Sequence, residues 1–479
     1  MSLRKQTFSG IIWTLADTFF VRALTFIAMI LLARWLGPEE FGLVGMIAVF
    51  IALGRSLTDS GMTNSLIRTK DPDQSDYSTV FYLNLMMSLL VYGVIYFAAP
   101  FIASFFEQPI LTDVIRLYCL LLLLIAFSAV QLAILTKSMN FKQITKINFP
   151  STVIGVAVGL YLGYHDYGVW SIVWMYLTTE AMKSLLLWIF SSWHPKLIFS
   201  SEKFKYHYKF GYKLMLSGVI DIVFKNIYNI LIGKFFSAQT LGNYERAKQF
   251  SSYPSSTFSG IIGKVSYPLL SKMQDDTNLL ESTYKKLIKI SFFVIAPLML
   301  GAAAVAKPLF LLVLGEEWRP AILFFQILSL AMILHPIHAF NLNILKVYGR
   351  SDLFLKLEII KKCIISLSIL VAFQFGVIGL VWSSVFTSFA ALGVNMYYSS
   401  RLIHYTIPSQ LKDLGQILFI TLITAFLMYV LTSIIPESQL ILQIGVASIC
   451  GIIFYLGINY FIKKSPLYQA IWLLKTRNQ

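Results

Sequence analysis

The sequence predicts an all-α polytopic membrane protein. It should have about 14 transmembrane helices, set out as two six-helix lobes related by a parallel repeat plus a C-terminal helix pair. Three observations predict this. Of the 479 residues, 57% are hydrophobic and only 13% are charged, more apolar surface than a soluble chain of this length needs. The apolar residues gather in runs near the ~20 residues that one helix needs to cross a bilayer, not in the alternating segments of a barrel. The basic residues alternate between abundant and absent from one connection to the next, as the connections of a polytopic chain do.

In chain order the runs lie near 8–36, 41–54, 80–105, 114–136, 147–164, 168–190, 214–236, 246–270, 287–314, 321–345, 354–375, 377–399, 411–434 and 439–462. The second is short and runs on towards Asp59. Arg4 and Lys5 resemble the start of a signal peptide, but the apolar run after them is too long and no small-residue cleavage site follows, so it is taken as a retained first span. A net charge of +16 would suit nucleic acid, but its distribution argues against that partner. One set of connections carries Arg55, Arg68 and Lys70, then Lys137, Lys142 and Lys146, then Lys196 to Lys213, and so on to Lys463 and Lys464. The opposite set, 37–40, 107–113, 165–166, 374–376 and 436–439, has no Lys or Arg; only Arg246, Lys248 and Arg319 break the pattern. The positive-inside rule then places both termini in the cytoplasm, consistent with an even number of spans. Cys119, Cys363 and Cys450 fall inside apolar runs without metal-ligand spacing and are expected to be buried, inert thiols.

The stretch "LLARWLGPEEFG" at 31–42 returns as "LIGKFFSAQTLG" at 231–242, with Leu31 matching Leu231 and Gly42 matching Gly242. Six spans separate the copies, so both point the same way through the membrane. Such a parallel repeat is related by an axis along the membrane normal, with substrate sites usually between the halves. Residues 1–200 and 201–400 are the expected lobes, and 401–479 supplies two further helices and a tail. The joint "SSEKFKYHYKFGYK" at 200–213 mixes lysines with aromatics in a way that could mimic an RNA-stacking surface. It is better taken as an interfacial segment with aromatics at headgroup level and lysines reaching anionic lipid.

Ionisable residues at depth are functional candidates by default, since an arginine near the centre of a span costs about 2.5–3.5 kcal/mol on insertion scales. At 1.5 Å per residue, Asp17 lies about 14 Å and Arg22 about 21 Å in from Phe8. Asp221 and Lys225 share a face of span seven at i and i+4, and Arg55 and Asp59 do so towards the end of span two. Lys264 lies in span eight, and Glu180 and Lys183 in span six. Cations and carboxylates in both lobes imply a wet, charged cavity between them. A pyrophosphate needs several positive donors, which makes Arg22, Arg55, Lys225 and Lys264 candidates to hold one. Alternatively, Asp17 and Asp221 neutralise these cations in structural pairs that tie spans one and seven together. Asp17, Asp59, Glu180 and Asp221 are also candidates to bind a coupling H+ or Na+. His335 and His338 flank Pro336 with no third ligand near, against a zinc site. "DPD" at 71–73 is a solvated turn, since its loop is too short for a glycosyltransferase domain. No Gly-rich phosphate loop with a lysine occurs, so no cofactor, metal or ATP is expected.

"RALTFIAMILLARWLGPEEFGLVGMIAVF" at 22–50, "DSGMTNSLIR" at 59–68, "DYSTVFYLNL" at 76–85, "IGKFFSAQTLGNYERAKQF" at 232–250, "LGEEWRPA" at 314–321 and "GRSDLFLKLEIIKK" at 349–362 resemble the polysaccharide transporter family. These Wzx-type lipid-linked oligosaccharide flippases belong to the multidrug/oligosaccharidyl-lipid/polysaccharide exporter superfamily. The resemblance runs over about 22–400, with Asn64 and Asn243 standing where Ala and Tyr are expected. It implies alternating access and a cargo of undecaprenyl-pyrophosphate carrying an oligosaccharide, moved from the cytoplasmic to the periplasmic leaflet of a bacterial inner membrane. It also implies synthesis of O-antigen, capsule or exopolysaccharide, with polysaccharide polymerase machinery as a possible partner, and no enzymatic step. The nearest alternative is an ion-coupled multidrug exporter on the same fold, whose cavity should be acidic rather than basic. A glycan polymerase would need a large extracytoplasmic loop, and the outer connections are only a few residues long.

Overall fold

The computed structural model describes residues 3–462 and 465–468, with the side chains of all of these except 3–12, 15, 16, 261, 264, 265 and 351. Lys264 and the terminal cations Arg4, Lys5, Lys463, Lys464, Lys475 and Arg477 therefore lie outside the described side chains. Among the described residues every regular element is a helix. Packing divides the chain into Met1–Gly242 and Asn243–Gln479.

The first unit contains α1 (Leu3–Asp59), α2 (Met62–Arg68), α3 (Gln74–Phe106), α4 (Leu111–Tyr118), α5 (Leu120–Lys137), α6 (Phe141–Tyr164), α7 (Val169–Phe190) and α8 (Ser201–Phe235). The boundary falls inside α9 (Ala238–Ser271). The second unit continues with α10 (Thr277–Ala304), α11 (Ala306–Val313), α12 (Arg319–Met332), α13 (His335–Val347), α14 (Ser351–Ala372), α15 (Gly376–Ser399), α16 (Ile407–Ile434) and α17 (Leu440–Phe461). The packing boundary lies beyond the 200/201 joint of the repeat because α8 packs along α1, α2 and α3.

Ten stretches among the described residues are long and apolar enough to cross a membrane. Two of these, Asp17–Asp59 and Asp352–Ser399, are long enough to hold two spans each, divided at Gly37 and Gly376. Helices α7 and α9 have membrane length but are more polar. The first carries Glu180 and Lys183; the second carries Glu245, Arg246, Lys248 and several serines. Together these make the fourteen helical spans that the run lengths predict.

The break in α1 has a local cause. Gly37 adopts φ 72° and ψ 178° ahead of Pro38, a conformation open mainly to glycine, and proline has no N–H to continue the ladder. The repeat is visible in the packing just beyond. A Cβ on Gly42 would lie 1.8 Å from the carbonyl oxygen of Ala238, and one on Gly242 would lie 1.7 Å from that of Pro38. Positions 38 and 42 match 238 and 242 in the repeat. The contact is therefore reciprocal, as two copies meeting across a two-fold axis require.

Cations in the sparsely basic connections are neutralised locally. Lys234 Nζ lies 2.8 Å from Glu107 Oε1, and this hydrogen bond holds the Glu107 carboxyl below its usual pKa. Arg319 Nε lies 2.5 Å from Glu316, and Glu437 takes both Arg319 and Lys307. Lys248 pairs with Glu245 at 3.3 Å. These few cations are outnumbered by those of the opposite connections.

Candidate functional site

A polar centre forms inside the first unit. Asp17 on α1, half-buried, accepts hydrogen bonds from Asn148 Nδ2 of α6 at 3.2 and 3.4 Å. The Lys183 ammonium of α7 also acts on it electrostatically. Lys183 lies 3.5 Å from Glu180 on its own helix, with both side chains mostly shielded. Glu180 and Lys183 in turn line a cavity of about 200 Å³ with Asp59, Asn64 and Asn84. Asp59 caps the start of α2, accepting from Thr63 N at 3.3 Å. Asn84 is fully buried on α3, and its amide makes no hydrogen bond to another described residue. Leaving such an amide unsatisfied costs about 1–3 kcal/mol, so the cavity is suited to a polar or cationic guest.

Of the eight candidate residues, Asp17, Asp59 and Glu180 thus belong to one connected neighbourhood. Arg55, one turn before Asp59 and exposed, joins its edge, since Arg55 and Glu180 both act electrostatically on Tyr118. Arg22 is exposed and makes no ion pair among the described residues. Lys225 pairs with Asp221 at 2.8 Å, with both side chains well exposed.

The pairing expected of the acids is corrected in one case. Asp17 does not neutralise Arg22; it bonds Asn148 instead. Residues five apart are turned by about 140° on an α-helix, so Asp17 and Arg22 leave α1 on different faces. Asp221 pairs with Lys225 within α8, as i,i+4 spacing favours, so this pair does not tie spans one and seven together.

Other readings change as well. In the 200–213 joint, His207 is fully buried. Its ring nitrogens meet Ser65 Oγ at 2.8 Å and Asp76 Oδ1 at 3.0 Å. Lys203 Nζ lies 2.8 Å from Asp76 Oδ2, so this lysine is tied to protein rather than directed to lipid. Cys363 is exposed and Cys450 intermediate; only Cys119 is buried. His335 is hydrogen-bonded to Ser259, and His338 to Ser388 and Asn395. No group of three or more metal-ligating side chains occurs among the described residues. Asn84 and Asn148 were missed because an amide in an apolar run carries no sequence signature; the available signal was a polar residue at depth.

The helical spans define a multi-pass membrane protein, and its fold is the one shared by lipid flippases and multidrug exporters. In structure the chain is similar to the lipid II flippase MurJ in an inward closed conformation, with a TM-score of 0.74 and 18% identity over 94% of this chain and 99% of that one. As the motifs indicated, the chain belongs to the family described as "Polysaccharide biosynthesis protein", whose model matches residues 31–323. It is 26% identical to the lipopolysaccharide biosynthesis protein WzxC of Escherichia coli (strain K12), over 75% of this chain and 74% of that protein. It is 25% identical to the teichuronic acid biosynthesis protein TuaB of Bacillus subtilis (strain 168), over 74% of this chain and 73% of that one.

Proposed function

We propose that the protein is a flippase. It moves an undecaprenyl-pyrophosphate-linked oligosaccharide from the cytoplasmic to the periplasmic leaflet of a bacterial inner membrane by alternating access, with both termini cytoplasmic. It is a transporter and not an enzyme, and it hands its cargo to polysaccharide polymerase machinery. The observation that carries this reading is the match of residues 31–323 to a polysaccharide biosynthesis family. The fold shared with a lipid II flippase supports it.

The division of labour follows from chemistry. Arg22, Arg55, Lys225 and Lys264 hold the pyrophosphate, whose oxygens suit charge-assisted donors. Asp17, Asp59 and Glu180 bind the coupling H+ or Na+. Asp221 positions Lys225 through their ion pair. Losing one charged hydrogen bond to the headgroup should cost about 1.5–3 kcal/mol, or roughly 10- to 150-fold in affinity.

The test is native mass spectrometry of the purified protein with undecaprenyl-pyrophosphate, undecaprenyl-monophosphate and a cationic dye. Wild type is run beside Arg22→Ala and Lys225→Ala. The expected result is preference for the pyrophosphate lipid, lost in both variants. Equal binding by variants and wild type would move the headgroup site elsewhere, and preference for the dye alone would favour a drug exporter.

A further inference from the structure

The second unit holds a basic pocket lined by none of the cations proposed for the cargo. Where α10, α16 and α17 meet, a cavity of about 420 Å³ is lined by Lys285 and Lys289 of α10, Lys412 and Asp413 of α16, Tyr405 and Asn459. Lys289 Nζ lies 2.8 Å from Asp413 Oδ1, and Tyr405 Oη donates to Asp413 Oδ2 at 2.8 Å. Lys285 pairs with Glu281 at 2.6 Å and sits 4.8 Å above the Tyr405 ring. Lys412 is exposed and makes no ion pair with a described residue. Three ammonium groups against two carboxylates leave one net positive charge. The first turn of α16, which supplies Ser409 to the wall, adds backbone N–H groups that favour an anion.

A second cavity, about 480 Å³ and lined almost wholly by apolar atoms, continues along the same three helices. Its walls include Phe293, Pro297, Leu298, Met428 and Tyr455. Lys285, Lys289, Phe293, Pro297, Gly301 and Val305 recur at intervals of four, so one ridge of α10 leads from the basic pocket into the apolar groove. From Phe293 to Val305 the ridge rises about 18 Å, close to the ~15 Å that one leaflet contributes to a ~30 Å hydrocarbon core. A polar head site of charge +1 in line along α10 with a groove one leaflet deep has the dimensions and charge of a phospholipid monoanion. The positive-inside topology puts the lysine end at the cytoplasmic face, where basic pockets between helices hold anionic headgroups.

We infer that these two cavities form a binding site for an anionic glycerophospholipid of the cytoplasmic leaflet. Its phosphodiester sits among Lys285, Lys289 and Lys412, and one acyl chain lies in the groove against Phe293, Pro297 and Met428. Tyr405, Ser409 and Asn459 present hydroxyl and amide groups to a glycerol-type head. None of the cations proposed for the cargo lines either cavity, so this lipid is a resident and not the transported molecule.

Native mass spectrometry of the delipidated full chain tests the site with phosphatidylglycerol, phosphatidylethanolamine, inorganic phosphate and undecaprenyl-pyrophosphate. Phosphatidylglycerol should be retained roughly tenfold over phosphatidylethanolamine. Lys412→Gln should abolish that preference and Lys412→Arg restore it. Leu298→Trp, which fills the groove, should weaken retention of phosphatidylglycerol while leaving the melting temperature unchanged. Equal retention of the two phospholipids, or a preference untouched by Lys412→Gln, overturns the inference. Displacement of the lipid by inorganic phosphate at similar concentration would make this a free-anion site, and loss of undecaprenyl-pyrophosphate binding in Lys412→Gln would make it a cargo site. Either result also overturns it.

Discussion

Asn84 shows how much one side chain can reveal. Its buried amide makes no hydrogen bond to a described residue and faces the cavity shared by Asp59 and Glu180. Replacing an unpaired buried amide by an apolar group of similar shape is near neutral or stabilising. Asn84→Leu should therefore raise the melting temperature while lowering transport in proteoliposomes; a variant that transports normally would remove the cavity from the mechanism. At Asp17, the proposed coupling role predicts that Asp17→Asn abolishes the dependence of flipping on a proton or sodium gradient. The same variant should bind undecaprenyl-pyrophosphate as wild type does. An unchanged gradient dependence would reduce Asp17 to a partner of Asn148.

At the scale of elements, two joints carry most of the specificity. Gly42 and Gly242 bring the start of span two against the start of α9 so closely that a Cβ on either would lie within bonding range of a carbonyl oxygen. Overpacking typically costs about 1–3 kcal/mol, and here the obstacle is backbone, so Gly42→Ala and Gly242→Ala should each fall at or beyond the upper end. Because the contacts are reciprocal and adjacent, the double variant should be less destabilised than the sum of the two singles, as thermal unfolding in detergent can measure. The second joint fastens α8 to α2 and α3. Asp76 is buried and held by His207 and Lys203; because the Lys203 side chain is one-third exposed and His207 remains, removing the lysine should cost less than the about 3–5 kcal/mol of a fully buried pair. Lys203→Met should still lower the melting temperature more than Lys205→Met, whose side chain is exposed. Equal effects would mean that Asp76 is satisfied without Lys203.

At the scale of the whole molecule, the prediction concerns topology. In a background lacking Cys119, Cys363 and Cys450, a cysteine at Ser438 should react with an impermeant maleimide on intact spheroplasts. A cysteine at Asp275 should react only after permeabilisation. Reversed labelling would invert the orientation drawn from the basic connections. Lys234, Arg319 and Lys307, paired with Glu107, Glu316 and Glu437, are few beside the cations of the opposite connections.

The sequence by itself determined the helical class, the number and order of spans, the family and the repeat. These follow from run length, periodicity and short motifs, which are local properties of the chain. The break at Gly37 was equally legible, because Gly-Pro constrains its own backbone. The candidate site was legible only in part. Charge at depth singled out Asp17, Asp59 and Glu180, yet it could not choose their partners. The five-residue spacing of Asp17 and Arg22 already keeps them apart on α1, but that Asp17 meets Asn148 depends on helix rotation and on which helix packs beside α1, and those are set by burial of apolar faces across the whole unit. The same dependence hid the fate of Lys203 and the pocket of Lys285, Lys289 and Lys412, since Lys412 is far in sequence from the other two. Tertiary packing decided these, because an ionisable group takes the partner that the fold brings within hydrogen-bond reach, and that neighbour is not written in local spacing.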